Sequence, residues 1–135
     1  MKLKEINKDF LNLHYKGKRL AYYKYDEYVY ITDSYRLYKL AIDDLKLSDN
    51  LFTSVDLLRF TNEDGYVDAI ITNDLVVYNG TTCRVIKNDN ISVKVDDKYL
   101  KYFDSPEVKI KSEKDPIFIY ENNEYVGLIM PIIEY

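Results

Sequence analysis

The sequence predicts an α+β fold in which antiparallel sheets carry a few short helices. Most of the 135 residues fall into short runs rich in aromatic and β-branched side chains, which favour strands. Turn-forming pairs such as Asn79-Gly80 separate these runs, as in β-hairpins. Three stretches instead place apolar side chains three or four residues apart, which is typical of short amphipathic helices. With 47% hydrophobic residues, the chain is long enough for one core, so a single domain over 1–135 is expected.

Each predicted helix is followed along the chain by three predicted strands. The helices are NKDFLNLHYK (7–16), TSVDLLRF (53–60) and DDKYLKYF (96–103), and each opens with a residue type that is common at helix N-caps. The strands are, in chain order, RLAYYKY, EYVYIT, SYRLYKLAI, YVDAIIT, LVVYN, TTCRVI, ISVKV, EVKIK, PIFIY and YVGLIMPII. This pattern divides the chain into three units, 1–45, 46–90 and 91–135, each with an opening extended segment, a helix and a three-strand meander. The expected architecture is therefore a repeat of βαβββ units.

Charge is spread unevenly along the chain. The net charge is −4, yet residues 1–24 carry seven basic side chains against two acidic ones, so the remainder is strongly acidic. Such asymmetry lets a basic patch attract phosphate while the rest of the surface repels it. Cys83 is the only cysteine, so no internal disulfide can form, and the first residues have no apolar signal segment. A cytoplasmic protein without a membrane partner is expected.

The sequence offers little for catalysis. His14 is the only histidine, which disfavours Cys-His and Ser-His-Asp nucleophilic chemistry, and the four glycines are too scattered for a phosphate-binding loop. Glu107 and Lys109, with Asp97 or Asp104 upstream, loosely resemble the carboxylate and lysine pattern of metal-dependent nucleases. Alternating charge on an exposed strand is the commoner origin of that pattern. We therefore expect a protein that is not an enzyme and that has no catalytic residue, cofactor or metal site.

Residues 21–40 contain seven tyrosines. Strand alternation places Tyr23 and Tyr25 on one face of a sheet and Tyr22 on the other, while Tyr28 and Tyr30 share a face. A surface for stacking nucleic-acid bases would interleave aromatic residues with basic ones, whereas acidic residues interrupt this series. Packing on both faces of a sheet is the favoured role of these rings.

Two short stretches resemble a known family. ITDSYRL at 31–37 is similar to a segment of DNA polymerase sliding clamps that usually reads A-T-D-G-H-R-L, and YVGLIMPIIEY at 125–135 resembles the end of the bacterial clamp, which closes on Met-Pro and an apolar residue. VKVDDKYLKYFDSPEVKI and DPIFIY resemble the clamp's last helix and the strands after it. The βαβββ repeat is also the clamp's building block. The chain differs in having Ser34 and Tyr35 where the motif has Gly and His, and about three units where a bacterial clamp subunit has six.

The resemblance implies two sites. In bacterial clamps the two similar stretches form a hydrophobic groove that receives short peptides of polymerases and repair proteins. Here that groove would be lined by Thr32, Ser34, Tyr35, Arg36, Leu37, Met130, Pro131 and Ile132. Clamp helices also meet the DNA backbone through basic side chains, without reading sequence. The corresponding side chains would be Lys8, Lys16, Lys18 and Arg19.

Two functions remain open at this point. The first is a non-enzymatic binding protein that resembles a clamp subunit, docks apolar peptide motifs of replication proteins, contacts double-stranded DNA and self-associates. The second is a small acidic inhibitor with a clamp-like fold, of the kind a phage or mobile element would carry, which occupies a host replication or defence protein without encircling DNA. The acidic balance of residues 25–135 motivates the second.

Overall fold

The computed structural model describes residues 1–134 and contains one ten-stranded sheet with two α-helices. The helices are α1 (Leu3–Tyr15) and α2 (Asp97–Leu100). The strands are β1 (Ala21–Tyr25), β2 (Tyr28–Thr32), β3 (Arg36–Ala41), β4 (Thr53–Ser54), β5 (Val67–Tyr78), β6 (Thr81–Lys87), β7 (Ser92–Asp96), β8 (Glu107–Ile110), β9 (Ile117–Glu121) and β10 (Glu124–Ile129). The sheet order is β4-β1-β2-β3-β10-β9-β8-β5-β6-β7, and only the β1–β4 pair is parallel. The α+β class predicted from the sequence is confirmed.

The first helix begins earlier than the sequence predicted. Helix α1 starts at Leu3 rather than at residue 7, because Ile6 and Phe10 lie one turn apart on its buried face and both are almost fully enclosed. It ends at Tyr15, and Gly17, two residues later, has a φ of 75°, which suits the left-handed position after a helix. The backbone N–H of Lys18 donates to the carbonyl of Leu13 across this end. With the helix beginning at residue 3, no opening strand precedes it in the first of the three expected units.

The helix predicted at 53–60 is wrong. Residues 53 and 54 form β4, and a 3-10 turn covers Leu58–Thr61. The N–H of Thr53 donates to the carbonyl of Leu20 at 2.8 Å and that of Val55 donates to Tyr22 at 3.0 Å. These bonds to the β1 segment hold the backbone extended, and an eight-residue helix is too short to compete with them on propensity alone.

Two further elements differ in length from the prediction. Helix α2 is a single turn, capped by the Asp96 carboxylate, which accepts from the N–H of Lys98. The predicted strands YVDAIIT and LVVYN are one strand, β5, with an irregularity between Ile71 and Leu75. The Thr72 hydroxyl donates to a carbonyl of β6 there, so the Asn73-Asp74 pair makes a bulge rather than a hairpin turn.

Apolar side chains are buried on both faces of the central strands. One cluster joins α1 to the inner face of the sheet, and Val29, Ile31 and Tyr38 belong to it. A second, smaller cluster on the opposite face contains Tyr30 and Leu37 together with Leu57, Phe118, Tyr120 and Leu128. Tyrosines of the 21–40 segment therefore pack on both sides, as strand alternation predicted. Within the described residues, no helix is long and apolar enough to cross a membrane.

Candidate functional site

The two stretches that resemble the clamp groove lie side by side. Strands β3 and β10 are neighbours, with Leu37 opposite Leu128 and Arg36 opposite Ile129. Just beyond the paired region, the N–H of Met130 donates to the carbonyl of Tyr35 at 2.8 Å. The start of β3 and the end of β10 therefore border one surface.

The turn before β3 is fixed by its own side chains. The Asp33 carboxylate accepts from the N–H groups of Tyr35 and Arg36, and the Thr32 hydroxyl accepts from the N–H of Ser34 and donates to the carbonyl of Arg36. Ser34 has a φ of 81°, a left-handed conformation that ordinarily favours glycine. This geometry gives a physical reason for glycine at the same place in the motif that the segment resembles. Serine keeps the turn at some cost in backbone strain.

A small apolar cavity of about 270 Å³ opens beside this turn. Five of the predicted groove residues border it with their side chains or backbone: Thr32, Ser34, Arg36, Leu37 and Met130. Its other wall comes from the segment after β4, through Val55, Leu57 and Phe60, with exposed Arg59 at the rim. Sequence reasoning missed this wall because it assigned 53–60 to a helix, although the cluster VDLLRF is the apolar signal that could have revealed it.

A second cavity of about 420 Å³ adjoins the first at Met130. It is bordered by the remaining predicted residues, Tyr35, Pro131 and Ile132, and also by Ile133 and Tyr99. Tyr35 is 64% exposed, which is unusual for so large a ring. The N–H of Ile132 donates to the carbonyl of Lys94 at 2.7 Å and fixes the last segment against β7. We call the two cavities together the β3–β10 cleft.

Arg36 borders the cleft but directs its charge into the protein, toward α1. Its side chain is only 3% exposed, and its guanidinium donates to Asp33 and to Asp9 of α1. The rings of Tyr99 and Tyr102 lie 4.5 and 5.1 Å from the guanidinium carbon. Burial alone would lower the pKa of this group, but the adjoining carboxylates and tyrosines raise it above its ordinary value. The guanidinium is therefore a permanent internal cation, and orienting a ligand in the cleft falls to other groups.

The four basic residues expected to meet a phosphate backbone are all exposed. Lys8 lies on α1, and Lys16, Lys18 and Arg19 follow its end. None of the four takes part in an ion pair with any residue between 1 and 134. Lys16 also borders a cavity of about 570 Å³ between the helices, where it is joined by three lysines that sequence reasoning did not single out: Lys2, Lys98 and Lys101.

In the described part of the chain, His14 and the two carboxylates upstream of Glu107 make other contacts. His14 is partly buried and packs beside the ring of Tyr15. Asp97 pairs with Arg84, and Asp104 pairs with the amino terminus, so neither joins Glu107. Across residues 1–134, no three histidine, cysteine or carboxylate side chains are arranged to hold a metal ion.

Comparison with known proteins identifies no family for this chain. None of the known protein-family models matches this chain, and no curated protein and no solved structure matches it.

Proposed function

We propose that this chain is a non-enzymatic binding protein that receives a short apolar peptide in the β3–β10 cleft. By its resemblance to sliding clamps, the peptide would belong to a replication protein. The observation that carries the proposal is the contact of two stretches about ninety residues apart, which includes the hydrogen bond from the Met130 N–H to the carbonyl of Tyr35.

The chemistry of the cleft favours an extended peptide with two apolar side chains. One side chain would enter the cavity beside Leu37 and Phe60, and the other would lie against Pro131 and Ile132. Met130 separates the two cavities, and its flexible thioether can adjust to the shape of the ligand. Burying two such side chains gains about 3–6 kcal/mol. After the cost of ordering the peptide, the dissociation constant should lie above about 10 µM.

Charge at the rim limits which peptides fit. Arg59 is exposed beside the first cavity, and its guanidinium carbon lies 4.5 Å from the ring centre of Phe60. Because the Arg36 guanidinium is already paired with two carboxylates inside the protein, Arg59 is the cation available to an acidic group on the ligand. A peptide with a carboxylate next to its first apolar side chain should therefore bind better than one with a lysine there.

Fluorescence anisotropy with a labelled peptide tests this function. The probe is the short apolar motif with which bacterial polymerases bind their clamps, and a scrambled peptide serves as its control. Met130→Asp should weaken binding at least about tenfold, because it places a charge between the two cavities. Val77→Thr, on a distant exposed strand, should leave binding unchanged. Absence of binding by the wild-type chain, or equal binding by Met130→Asp, would contradict the proposal.

A second function, an inhibitor that does not encircle DNA, is favoured by the helices. Of the three helices that the sequence predicted, only α1 exceeds one turn, so a basic helical surface is limited to one element. Measuring the affinity for duplex DNA at several salt concentrations distinguishes the two functions. If Lys16 and Lys18 meet phosphates, replacing both with glutamine should reduce the slope of log affinity against log salt by about 2. An unchanged slope, or no DNA binding at all, favours the inhibitor.

A further inference from the structure

The outer edge of β5 is the longest uncovered strand edge within the described chain. Strand β8 pairs with β5 only at Val67–Ala69, and Pro106, which has no backbone N–H, ends that pairing. From Ile70 to Tyr78, β5 is paired on its β6 side alone. The strands at the two ends of the sheet are less available for pairing with another strand. Strand β4 has only two residues, and β7 already accepts a hydrogen bond from the N–H of Ile132.

Apolar side chains accompany this open edge. Ile70, Leu75 and Val77 are 68%, 52% and 71% exposed, and Val76 is 36% exposed. Four consecutive residues, Leu75 to Tyr78, carry no charge. Natural sheet edges are ordinarily protected by charge, proline or a covering segment, and this stretch has none of the three.

The hairpin geometry shows which backbone groups are free. Asn79 and Gly80 have φ values of 49° and 79°, as in a two-residue type I′ turn, and Tyr78 lies opposite Thr81. The residues that flank such a turn exchange hydrogen bonds, so every second residue before them points its N–H and C=O away from the partner strand. The outward residues are Leu75 and Val77. Within the described chain, neither residue forms a backbone hydrogen bond outside the strand pairs given above.

We infer that this edge pairs with the same edge of a second copy of the chain. An antiparallel pair about a two-fold axis at Val76 sets Leu75 opposite Val77 of the other copy, which matches outward groups with outward groups. In this register Asp74 faces Tyr78, so no like charges oppose one another. The paired segment is short, and its area is that of a weak, reversible dimer. The contact is independent of the β3–β10 cleft.

Sedimentation over a range of protein concentrations tests the inference. The wild-type chain should pass from monomer to dimer as its concentration rises. Val77→Lys places a charged side chain opposite Leu75 of the other copy, and the two-fold axis repeats this change in both halves of the contact. The dissociation constant should rise at least about tenfold. Thr82→Lys adds the same charge directly opposite Val77 but one strand inward, so it should leave the dissociation constant nearly unchanged.

Amide hydrogen exchange provides a readout that needs no variant. Dimerisation should slow exchange at the amides of Leu75 and Val77. The exchange rates at Ile70 and Asn73 should not change between low and high protein concentration. A monomer at every concentration up to the solubility limit would overturn the inference, and would leave the edge to a strand of another protein. A dimer that Val77→Lys does not weaken, or that Thr82→Lys weakens equally, would also overturn it.

Discussion

Gly127 marks the closest approach of β10 to β3. A Cβ atom built on it would lie 2.2 Å from the carbonyl oxygen of Leu37, which is backbone and cannot turn aside. The position lies beside an irregularity in the pairing of β10 with β9, between Tyr125 and Gly127. Glycine here allows the two strands that border the cleft to approach each other.

Replacing Gly127 with alanine should therefore destabilise the fold. We expect a loss of about 3 kcal/mol or more in the free energy of unfolding, because the added methyl group forces the strands apart. Urea denaturation measures it. Gly17→Ala is the control, since that position has positive φ but open space, and its cost should stay near about 1 kcal/mol. Equal losses in the two variants would contradict a steric origin.

The contacts of single side chains were harder to predict from the sequence than the helices and strands. The motif ITDSYRL drew attention to Arg36, but no local pattern says that its guanidinium turns toward Asp9, twenty-seven residues earlier. Ser34 could be recognised as a turn residue from its neighbours, because Thr32 and Asp33 are residues that bond nearby backbone groups. Long-range charge pairing has no comparable local signal.

At the level of elements, one polar side chain of α1 bonds the helix to the segment that follows β3. The amide nitrogen of Asn7 donates to the carbonyls of Leu3 and Asp44, and its oxygen accepts from the N–H of Lys46 at 2.7 Å. Asn7 itself is only 9% exposed, and its three hydrogen bonds are partly buried. The amide thus fixes the segment after β3 against the helix.

Asn7→Ala should lower the free energy of unfolding by about 1–3 kcal/mol, because it leaves the partly buried carbonyl of Asp44 and N–H of Lys46 without this partner. Thermal or urea denaturation measures the loss. Asn12→Ala lies on the exposed side of the same helix and should be neutral or slightly stabilising, since alanine is the better helix former. A comparable loss in both variants would indicate a general effect on the helix.

The sequence predicted helix or strand well where the apolar pattern of a segment agrees with its pairing in the sheet. Each of the ten strands named from RLAYYKY to YVGLIMPII overlaps an observed one, because alternating apolar residues bury one face in any pairing, whereas the opening extended segments expected in the first two units are not strands. The prediction was wrong at 53–60, where contact with β1 overrides helical spacing, and at Asn73-Asp74, where a turn signal lies within a continuous strand. Both outcomes depend on neighbours distant in sequence.

For the whole molecule, the tyrosines should make stability depend on alkaline pH. Burial raises the pKa of Tyr66 and of Tyr99 to about 12, and it also raises the pKa values of Tyr38 and Tyr125. In an unfolded chain these phenols ionise near pH 10. Their contribution to stability is therefore complete below about pH 10 and disappears as the pH rises through 12.

Absorbance of tyrosinate during an alkaline titration measures this directly. The native protein should show a late group of tyrosines that ionise only above about pH 12 or together with unfolding. The same protein in concentrated urea should titrate in a single step near pH 10. If the native and denatured curves coincide, the buried rings do not stabilise the fold in this way.

The position of β10 between β3 and β9 also affects how the chain is made. Strand β3 ends at Ala41 and its neighbour begins at Glu124, so about eighty residues separate their synthesis. At roughly 5–20 residues per second, the ribosome needs about 4–16 s to cover that distance. During that time the first three strands of the nascent polypeptide expose an unsatisfied edge. Chaperone dependence during translation is the expected result, and it should end once the last strand has left the exit tunnel.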